Sequence, residues 1–108
     1  MLEKQHVIDI YESRRFTKAL KKLPETDLKI IEDEIDKIIE QPEIGELKKG
    51  DLSHLRVHKF KLNNQQVLLA YSWVKNKLEI HLLQVASHAN FYQKMKLQRK
   101  ADIKQVAN

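Results

Sequence analysis

Two helices are the clearest elements that the pattern of apolar and polar residues predicts. The first begins after Ser13, a suitable N-cap, and Pro24 ends it and suits the first turn of the second helix. Its apolar residues recur at helical spacing, at Phe16, Ala19, Leu20 and Leu23. In the second helix, which Pro42 stops, one apolar stripe is formed by Leu28, Ile31, Ile35 and Ile38. Together the two segments predict an antiparallel helical hairpin.

Four extended segments surround this hairpin. Residues 6–11, which begin with His6, alternate and predict a first strand, and residues 55–62, 67–74 and 78–86 predict three more. Because residues 67–74 are almost wholly apolar, we expect that strand at the centre of a sheet, covered on both faces. The short turns between the last three strands predict an antiparallel meander.

The order of these elements predicts an α+β fold in a single domain that spans residues 1–108. That order is β-α-α-β-β-β-α, because the polar and basic tail from His88 onward predicts a further short helix. The N-terminal strand and the helical hairpin would pack on an antiparallel sheet, with the apolar stripe against one sheet face. We expect the other sheet face to be partly open.

Charge is distributed unevenly along the chain. The formal net charge is +5, but residues 24–41 hold seven acids and two lysines, so that segment is −5 and the remainder is +10. A concentrated basic surface suits a polyanion such as nucleic acid, and a generally basic soluble domain is the plainer alternative.

Composition excludes several kinds of protein. The chain has no Cys, which excludes a disulfide scaffold, a thiolate zinc site and a cysteine nucleophile. Two Gly exclude a glycine-rich phosphate loop, and no stretch of about 18 apolar residues is present to cross a bilayer. No spacing of acids and histidines indicates a metal site, so we expect neither a metal nor another cofactor.

Four short segments, in this order, resemble motifs of the RelE/ParE superfamily of toxins. Residues 46–50 (Glu-Leu-Lys-Lys-Gly) are similar to the leucine-basic-glycine loop before the second strand, and residues 59–62 (Lys-Phe-Lys-Leu) to the Lys-x-Lys-Leu strand. Residues 68–71 (Leu-Leu-Ala-Tyr) are similar to the Arg-Leu-Val-Tyr strand. Residues 85–92 resemble the small-residue turn and the His-x-x-x-aromatic ending of the histidine-bearing branch. The resemblance covers nearly the whole chain.

This resemblance implies the toxin component of a type II toxin-antitoxin system, located in the cytoplasm and held inactive by a cognate antitoxin protein. RelE-like members cleave mRNA on the 70S ribosome without a metal, whereas ParE-like members inhibit DNA gyrase. We expect a metal-independent, ribosome-dependent mRNA endonuclease. A gyrase inhibitor is the alternative, because similarity of fold does not settle function.

RNA cleavage without a metal needs a base, an acid and cations that stabilise the phosphorane. His88 is the first candidate for proton transfer, because the unperturbed pKa of histidine, about 6.5, is close to neutral pH. Tyr92, four residues later, shares a helix face with His88 and can stack on a base or join proton transfer. The alternatives are a capping histidine at a helix start and a hinge aromatic that packs the tail onto the sheet.

The strand at residues 55–62 supplies further candidates on two faces. Lys59 and Lys61 share one strand face, where two ammonium groups suit a phosphate; the alternative is a solvated face. Arg56, His54 and His58 fall on the opposite face, and such a run against a helix-covered core is disfavoured. We therefore expect a bulge in this strand, or a first half that extends beyond the helices. Arg56 then becomes a phosphate clamp, and His54 or His58 a second proton-transfer group or an RNA contact.

Two more pairs of lysines are candidates for contacts with RNA. They are Lys48 and Lys49 in the loop before that strand, and Lys94 and Lys96 in the basic tail. A solvated turn is the alternative for the first pair, and a segment that an antitoxin covers is the alternative for the second.

One position departs from the RelE pattern. Leu68 stands where RelE-type strands have the arginine thought to stabilise the transition state. The resemblance therefore implies one of two proteins. Either the mechanism is based on histidine, with Arg56 or the lysines supplying positive charge, or the chain is not a nuclease.

Overall fold

A five-stranded sheet with helices on both faces forms the protein, in a computed structural model that describes residues 7–89 and 91–107. The strands are β1 (Asp9–Glu12), β2 (Glu46–Leu47), β3 (Arg56–Leu62), β4 (Gln65–Val74) and β5 (Glu79–Ser87). Their order across the sheet is β1-β5-β4-β3-β2. The predicted antiparallel meander of β3, β4 and β5 is confirmed. The sheet as a whole is mixed, because β1 pairs in parallel with β5. His6, which was predicted to lie in the first strand, falls outside the described residues.

Within the described residues, four helices cover this sheet. They are α1 (Arg14–Lys21), α2 (Glu25–Glu40), α3 (Phe91–Leu97) and α4 (Arg99–Ala107), so the tail forms two helices rather than one. Ser13 caps α1 as predicted, since its Oγ accepts a hydrogen bond from the Phe16 N–H at 3.1 Å. The same hydroxyl donates to the carbonyl of Leu83 at 2.7 Å, which ties the start of α1 to β5. None of the helices in the described ranges has the length and apolar character needed to span a membrane.

The hairpin of α1 and α2 packs on one face of the sheet, which we call the hairpin face. Buried apolar side chains from both helices and from β3, β4 and β5 meet there: Phe16, Ile31, Ile38, Phe60, Val67, Leu69, Tyr71, Ile80 and Leu82. Ile31 and Ile38 come from the apolar stripe predicted for α2. Burying an aliphatic or aromatic side chain of this size stabilises a fold by about 1.5–3 kcal/mol.

The opposite face, which we call the C-terminal face, carries a second core. Side chains from the sheet, from α3 and from the turn at residues 50–52 are buried there: Leu52, Leu55, Val57, Leu68, Ala70, Leu83, Phe91 and Met95. Strand β4 contributes to both cores, so it is central and doubly covered, as predicted. The expectation of a partly open face is correct only at the end of β3, where Lys59 and Lys61 are exposed.

Strand β3 is regular, so a bulge, one of the two alternatives predicted for it, is wrong. Every residue of Arg56–Leu62 pairs with one residue of β4, and the strands are joined by Asn63 and Asn64, both at positive φ (54° and 66°). Asparagine tolerates this conformation, so the pair suits a tight two-residue hairpin turn. The irregularity lies instead in the β4–β5 ladder, at Ala70 and Tyr71. Residues of β3 therefore alternate without interruption between the two sheet faces.

An ion pair fixes α4 to the beginning of the fold. Arg15 Nη1 and Nη2 donate to the two carboxylate oxygens of Asp102 at 2.9 and 2.8 Å. The Nε of Arg15 donates to Gln84 Oε1 at 2.6 Å. These two bonds make the pair bidentate, and its carboxylate is largely removed from water, because the Asp102 side chain is 2% exposed against 27% for Arg15. This clamp holds the C-terminal helices on their face of the sheet.

Candidate functional site

One cluster of charged and aromatic side chains lies on the C-terminal face, where β2, β3 and α3 meet. We call it the β2–α3 cluster, and its members are Glu46, Lys48, Lys59, His88 and Tyr92. Glu46 pairs with Val57 across the β2–β3 ladder, so its side chain points to the face that Val57 and Lys59 share. Lys48 follows Glu46 by two residues and keeps the same side.

Lys48 stands at the centre of this cluster. Its Nζ lies 3.0 Å from Glu46 Oε1 and 5.2 Å from the centroid of the Tyr92 ring. Its side chain is only 20% exposed, so the ammonium group is held between the carboxylate and the ring. A cation–π contact of this kind contributes about 0.5–1 kcal/mol at an exposed site and more when desolvated. Lys48 therefore links the edge strand β2 to helix α3.

His88 and Tyr92 lie beside each other as predicted, although His88 precedes α3 instead of lying on the helix. Their ring centroids are 6.2 Å apart with an interplanar angle of 78°, an edge-to-face contact. Tyr92 is half-buried against the second core and touches Phe91 at 5.1 Å between centroids, so its ring is fixed. His88 is exposed and follows the last residue of β5, with its carbonyl accepting from the Phe91 N–H at 3.2 Å. A rigid aromatic ring thus adjoins an accessible imidazole.

Opposite charges set the protonation of two cluster members. The hydrogen bond from Lys48 lowers the pKa of the Glu46 carboxyl, and the charge of Lys59 lowers it further. The hydrogen bond to Glu46 in turn raises the pKa of Lys48, and the interaction with Tyr92 raises it further. At neutral pH the cluster therefore holds one carboxylate among ammonium groups, beside the exposed ring of His88.

The other predicted lysines lie around this cluster. Lys61 is exposed two residues beyond Lys59 on the same strand face. Lys96 follows Tyr92 by four residues on α3, so it projects from the same side of that helix. Lys49 and Lys94 are exposed outside the cluster. Together these side chains extend a positive surface from the cluster along β3 and α3.

Arg56 belongs to a different environment from the one predicted. Its Nη1 donates to the carbonyls of Glu43 and Gly45 at 3.1 and 2.8 Å, in the loop between α2 and β2. Tyr71 fixes the same loop, because its hydroxyl donates to the Pro42 carbonyl at 2.7 Å and accepts from the Gly45 N–H at 2.9 Å. Arg56 thus lies on the hairpin face and holds backbone, which separates it from the lysines of the cluster.

His58 also lies on the hairpin face, where a partner from α2 satisfies it. Its Nε2 is 2.7 Å from Glu34 Oε1, and Lys37 Nζ is 2.9 Å from the other oxygen of that carboxylate. Burial raises the pKa of Glu34, but hydrogen bonds from His58 and Lys37 outweigh this effect and leave the pKa below its usual value. This pair resolves the predicted conflict of a histidine against a covered core, and it keeps His58 away from the cluster.

His54 is placed between β3 and the C-terminal helices. Both of its ring nitrogens are buried without a hydrogen-bond partner, although its carbonyl accepts from the Ser72 hydroxyl. Burial lowers the pKa of His54, with Asp102 raising it and Arg99 lowering it to smaller extents. The structure therefore does not bring His54 to the cluster either.

Glu46 is the member of the cluster that sequence reasoning missed. The available signal was its position two residues before Lys48 in an extended segment, which puts both side chains on one face. Within residues 7–89 and 91–107, no group of three or more His, Asp or Glu side chains is arranged to hold a metal ion.

A comparison with protein families finds one match over most of the chain. The model of a family described as "ParE-like toxin of type II bacterial toxin-antitoxin system" matches residues 10–96. No curated protein sequence matches the chain.

Several solved structures share this fold. A double mutant of the E. coli toxin RelE in the free state is 17% identical with a TM-score of 0.66, and the match covers 94% of this chain and 99% of that one. A chain of the intact E. coli RelBE toxin-antitoxin complex is 20% identical with a TM-score of 0.61, covering 75% and 96%. A chain of the archaeal RelE-RelB complex from Pyrococcus horikoshii OT3 is 17% identical with a TM-score of 0.51, and the match covers 76% of this chain and 96% of that one. The predicted α+β, RelE/ParE-like fold is confirmed.

Proposed function

The chain belongs to the family of ParE-like toxins of type II bacterial toxin-antitoxin systems, and on that premise we propose that it cleaves messenger RNA on the 70S ribosome. The observation that carries the proposal is the contact of the exposed His88 with the fixed Tyr92 ring, 6.2 Å between centroids, beside the exposed lysines of β3. A ring that stacks a base and a group that transfers a proton are thereby combined with cations. Those are the parts that metal-independent cleavage requires.

The reaction is an internal phosphoryl transfer. The 2′-hydroxyl oxygen attacks the adjacent phosphorus, the O2′–P bond forms and the P–O5′ bond breaks, leaving a 2′,3′-cyclic phosphate and a 5′-hydroxyl. A base takes the proton of the 2′-hydroxyl, and an acid gives a proton to the departing 5′-oxygen. No further reactant is consumed.

Two members of the cluster suit these proton transfers. The Glu46 carboxyl is ionised at neutral pH even at its ordinary pKa, and Lys48 and Lys59 lower that pKa further, so the carboxylate is available to accept the proton of the 2′-hydroxyl. His88, as an imidazolium, then donates to the 5′-oxygen. Neither His54 nor His58 is needed for this division of roles, since both lie outside the cluster.

Positive charge for the phosphorane comes from lysines. Lys59 and Lys61 are exposed on the face of the cluster, and Lys48 is held within it. They take the place of the arginine that RelE-type strands have where this chain has Leu68, which is fully buried. Arg56 has no part in the proposal, because two backbone carbonyls engage its guanidinium.

A cognate antitoxin protein is the proposed cellular partner. The RelBE and RelE-RelB complexes each contain a chain that this protein resembles in fold. An antitoxin that masks the cluster would need acidic side chains opposite its lysines. Without the antitoxin, three further exposed lysines can contact RNA of the message or the ribosome: Lys49, Lys94 and Lys96.

Inhibition of DNA gyrase is the second candidate function. Leu68 favours it, because the arginine is missing from a position that here belongs to the apolar core. In that case His88 is a surface residue at the start of α3 and has no chemical role.

Cell-free translation distinguishes the two candidates. Purified protein is added to a translation reaction, and the 5′ ends of the message are mapped with naked mRNA in parallel. Cuts at codon-phased positions that need ribosomes, and that His88→Ala removes, support the nuclease. An intact message with continued translation, together with loss of gyrase supercoiling in a parallel assay, supports the alternative.

A further inference from the structure

The solvent side of α1 carries a stripe of positive charge that lies outside the β2–α3 cluster. Four cations of this region are exposed: Arg14, Lys18, Lys21 and Lys22. At 100° per residue they occupy one narrow arc, opposite the arc of Phe16 that packs on the sheet. We call these four residues the α1 stripe.

No carboxylate of the described residues neutralises the α1 stripe. None of its four side chains forms a hydrogen bond or an ion pair within those residues, and α1 contains no acidic residue. Cations at i,i+4 spacing, such as Arg14 with Lys18 and Lys18 with Lys22, destabilise a helix by about 0.2–0.5 kcal/mol per pair. The stripe therefore opposes helix stability and suits a ligand of negative charge.

The neighbouring helix has the opposite character. Helix α2 presents acids on its exposed side, and its segment at residues 24–41 has a net charge of −5. A polyanion that approaches the hairpin is attracted by α1 and repelled by α2. Only one side of the hairpin can therefore face nucleic acid.

A groove on the hairpin face lies between α1 and the end of the sheet that precedes His88. This groove of about 160 Å³ is lined by Ala19 and Leu23 from the side of α1, and by Leu62, Gln65 and Ser87 from the ends of β3, β4 and β5. His88 follows Ser87 directly, and Lys61 precedes Leu62. The C-terminal part of α1 thus lies at the same end of the sheet as the cluster, on the opposite face.

We propose that the α1 stripe binds the phosphate backbone of the message strand, as that strand passes His88 and leaves the cluster. The stripe extends over eight residue steps, about 12 Å of helix, which is long enough to contact successive phosphates. This inference rests on the proposed function, because that function brings a single RNA strand to His88. It adds a second anchor that positions the strand without taking part in the chemistry.

The test measures binding with an RNA that cannot be cut. The probe is a fluorescent single-stranded 2′-O-methyl oligonucleotide, which lacks the attacking 2′-hydroxyl, and its affinity is measured by anisotropy over a range of salt concentrations. Lys18→Gln/Lys22→Gln is compared with Lys75→Gln/Lys77→Gln. The second pair removes the same charge from the exposed β4–β5 turn, at the opposite end of the sheet.

We expect the stripe variant to bind roughly tenfold more weakly, and its salt slope to fall by about 0.7 for each phosphate that the stripe no longer neutralises. The control variant should bind like the unsubstituted protein. Equally weakened binding in both variants, or unchanged binding in the stripe variant, would overturn the inference. So would a stripe variant that binds RNA normally but has a lower affinity for a short poly-glutamate peptide, since the stripe would then fit an acidic protein.

Failure of this inference and failure of the proposed function give different results. Binding of the uncleavable RNA does not depend on catalysis, whereas the proposed function is judged by cleavage in the presence of ribosomes and its loss in His88→Ala. Thermal unfolding of the stripe variant at the same or a slightly higher temperature shows that it is folded, since mutual repulsion is removed from an exposed helix face.

Discussion

The two faces of strand β3 show how a regular alternation of residues leads to opposite roles. On the hairpin face, Arg56 is bound to backbone carbonyls and His58 to the carboxylate of Glu34. On the C-terminal face, Lys59 and Lys61 are exposed beyond the second core. The strand supplies cations to both faces, and what covers each face decides whether a cation stabilises the fold or is free for a ligand.

Helix length explains the difference in coverage. Helix α2 has 16 residues, about 24 Å, and it supplies Glu34 opposite β3. Helix α3 has only 7 residues, about 10 Å, and it reaches the sheet through Phe91 and Met95. A short cover leaves the outer end of β3 open, which is where a phosphate can approach the lysines.

The largest expected effect concerns the clamp that holds the short cover in place. Asp102→Ala leaves Arg15 without its carboxylate, and breaking a desolvated ion pair in this way costs about 3–5 kcal/mol. Urea unfolding should give that decrease in the free energy of unfolding. Asp51→Ala is the control, because Asp51 is exposed and only its backbone carbonyl is bonded, to Arg99. A decrease no larger than that of the control would mean that the clamp does not fix α4.

The second prediction compares the two faces of β3 directly. Lys59→Gln should slow ribosome-dependent cleavage by about 10²–10³-fold, the usual effect of removing one group that stabilises transition-state charge. His58→Gln, one residue away on the other face, should leave the rate unchanged at a temperature where it is folded. Single-turnover cleavage measures both rates. Similar decreases in the two variants would contradict the assignment of the faces.

The third prediction concerns the loop that Arg56 and Tyr71 hold on the hairpin face. Tyr71→Phe removes the hydroxyl that bonds to the Pro42 carbonyl and the Gly45 N–H. Leaving these two backbone groups unpaired should lower the free energy of unfolding by about 1–3 kcal/mol. The free energies of unfolding of Tyr71→Phe and of the control Tyr11→Phe are measured by chemical denaturation; Tyr11 is the control because the residue is 44% exposed. Equal stability of the two variants would show that the hydroxyl does not fix this loop.

The smallest expected effect is a dependence of stability on pH through His54. Burial lowers the pKa of this histidine in the folded state, so protons bind more strongly to the unfolded chain. Stability is then complete above the unfolded pKa, about 6.5, and decreases as pH falls below it, by at most about 1.4 kcal/mol per pH unit for one proton.

His54→Phe keeps a ring in the same space and removes this titration. Urea unfolding at about pH 7.5 and about pH 5.5 should show a smaller decrease for the variant than for the unsubstituted protein. If acidification reduced the stability of the two proteins equally, His54 would not be responsible.

Local patterns were sufficient for most of the fold. The stripe of Ile31 and Ile38, the Ser13 cap and the apolar run of β4 each depend on neighbours within a few residues, and each was predicted correctly. β2 escaped prediction because two residues give no periodicity. The parallel pairing of β1 with β5 also escaped it, since no local pattern encodes which distant strand becomes a neighbour.

In the candidate site too, local contacts were predicted and distant partners were not. His88 and Tyr92 are four residues apart and their rings touch, although His88 precedes α3 rather than lying on it. The surroundings of Arg56, His54 and His58 depend on residues from other helices, strands and loops. Glu34, for example, lies 24 residues before His58. Spacing along the strand gave the correct face for Arg56 and His58 but could not reveal what would cover it, and it was wrong for His54, which precedes β3 and lies near the C-terminal helices.

The pairing of the first strand with the last has a consequence for how the protein is made. Ser13 bonds to Leu83 across 70 residues, and Arg15 to Asp102 across 87. Contacts between such distant residues form late, because a long loop must close before they contribute. On a nascent chain, β1 and α1 have nothing to dock on until β5 and α4 have been synthesised. The native contacts of β1 and α1 are thus completed only after α4 has been synthesised, which delays any activity of the folded protein until then.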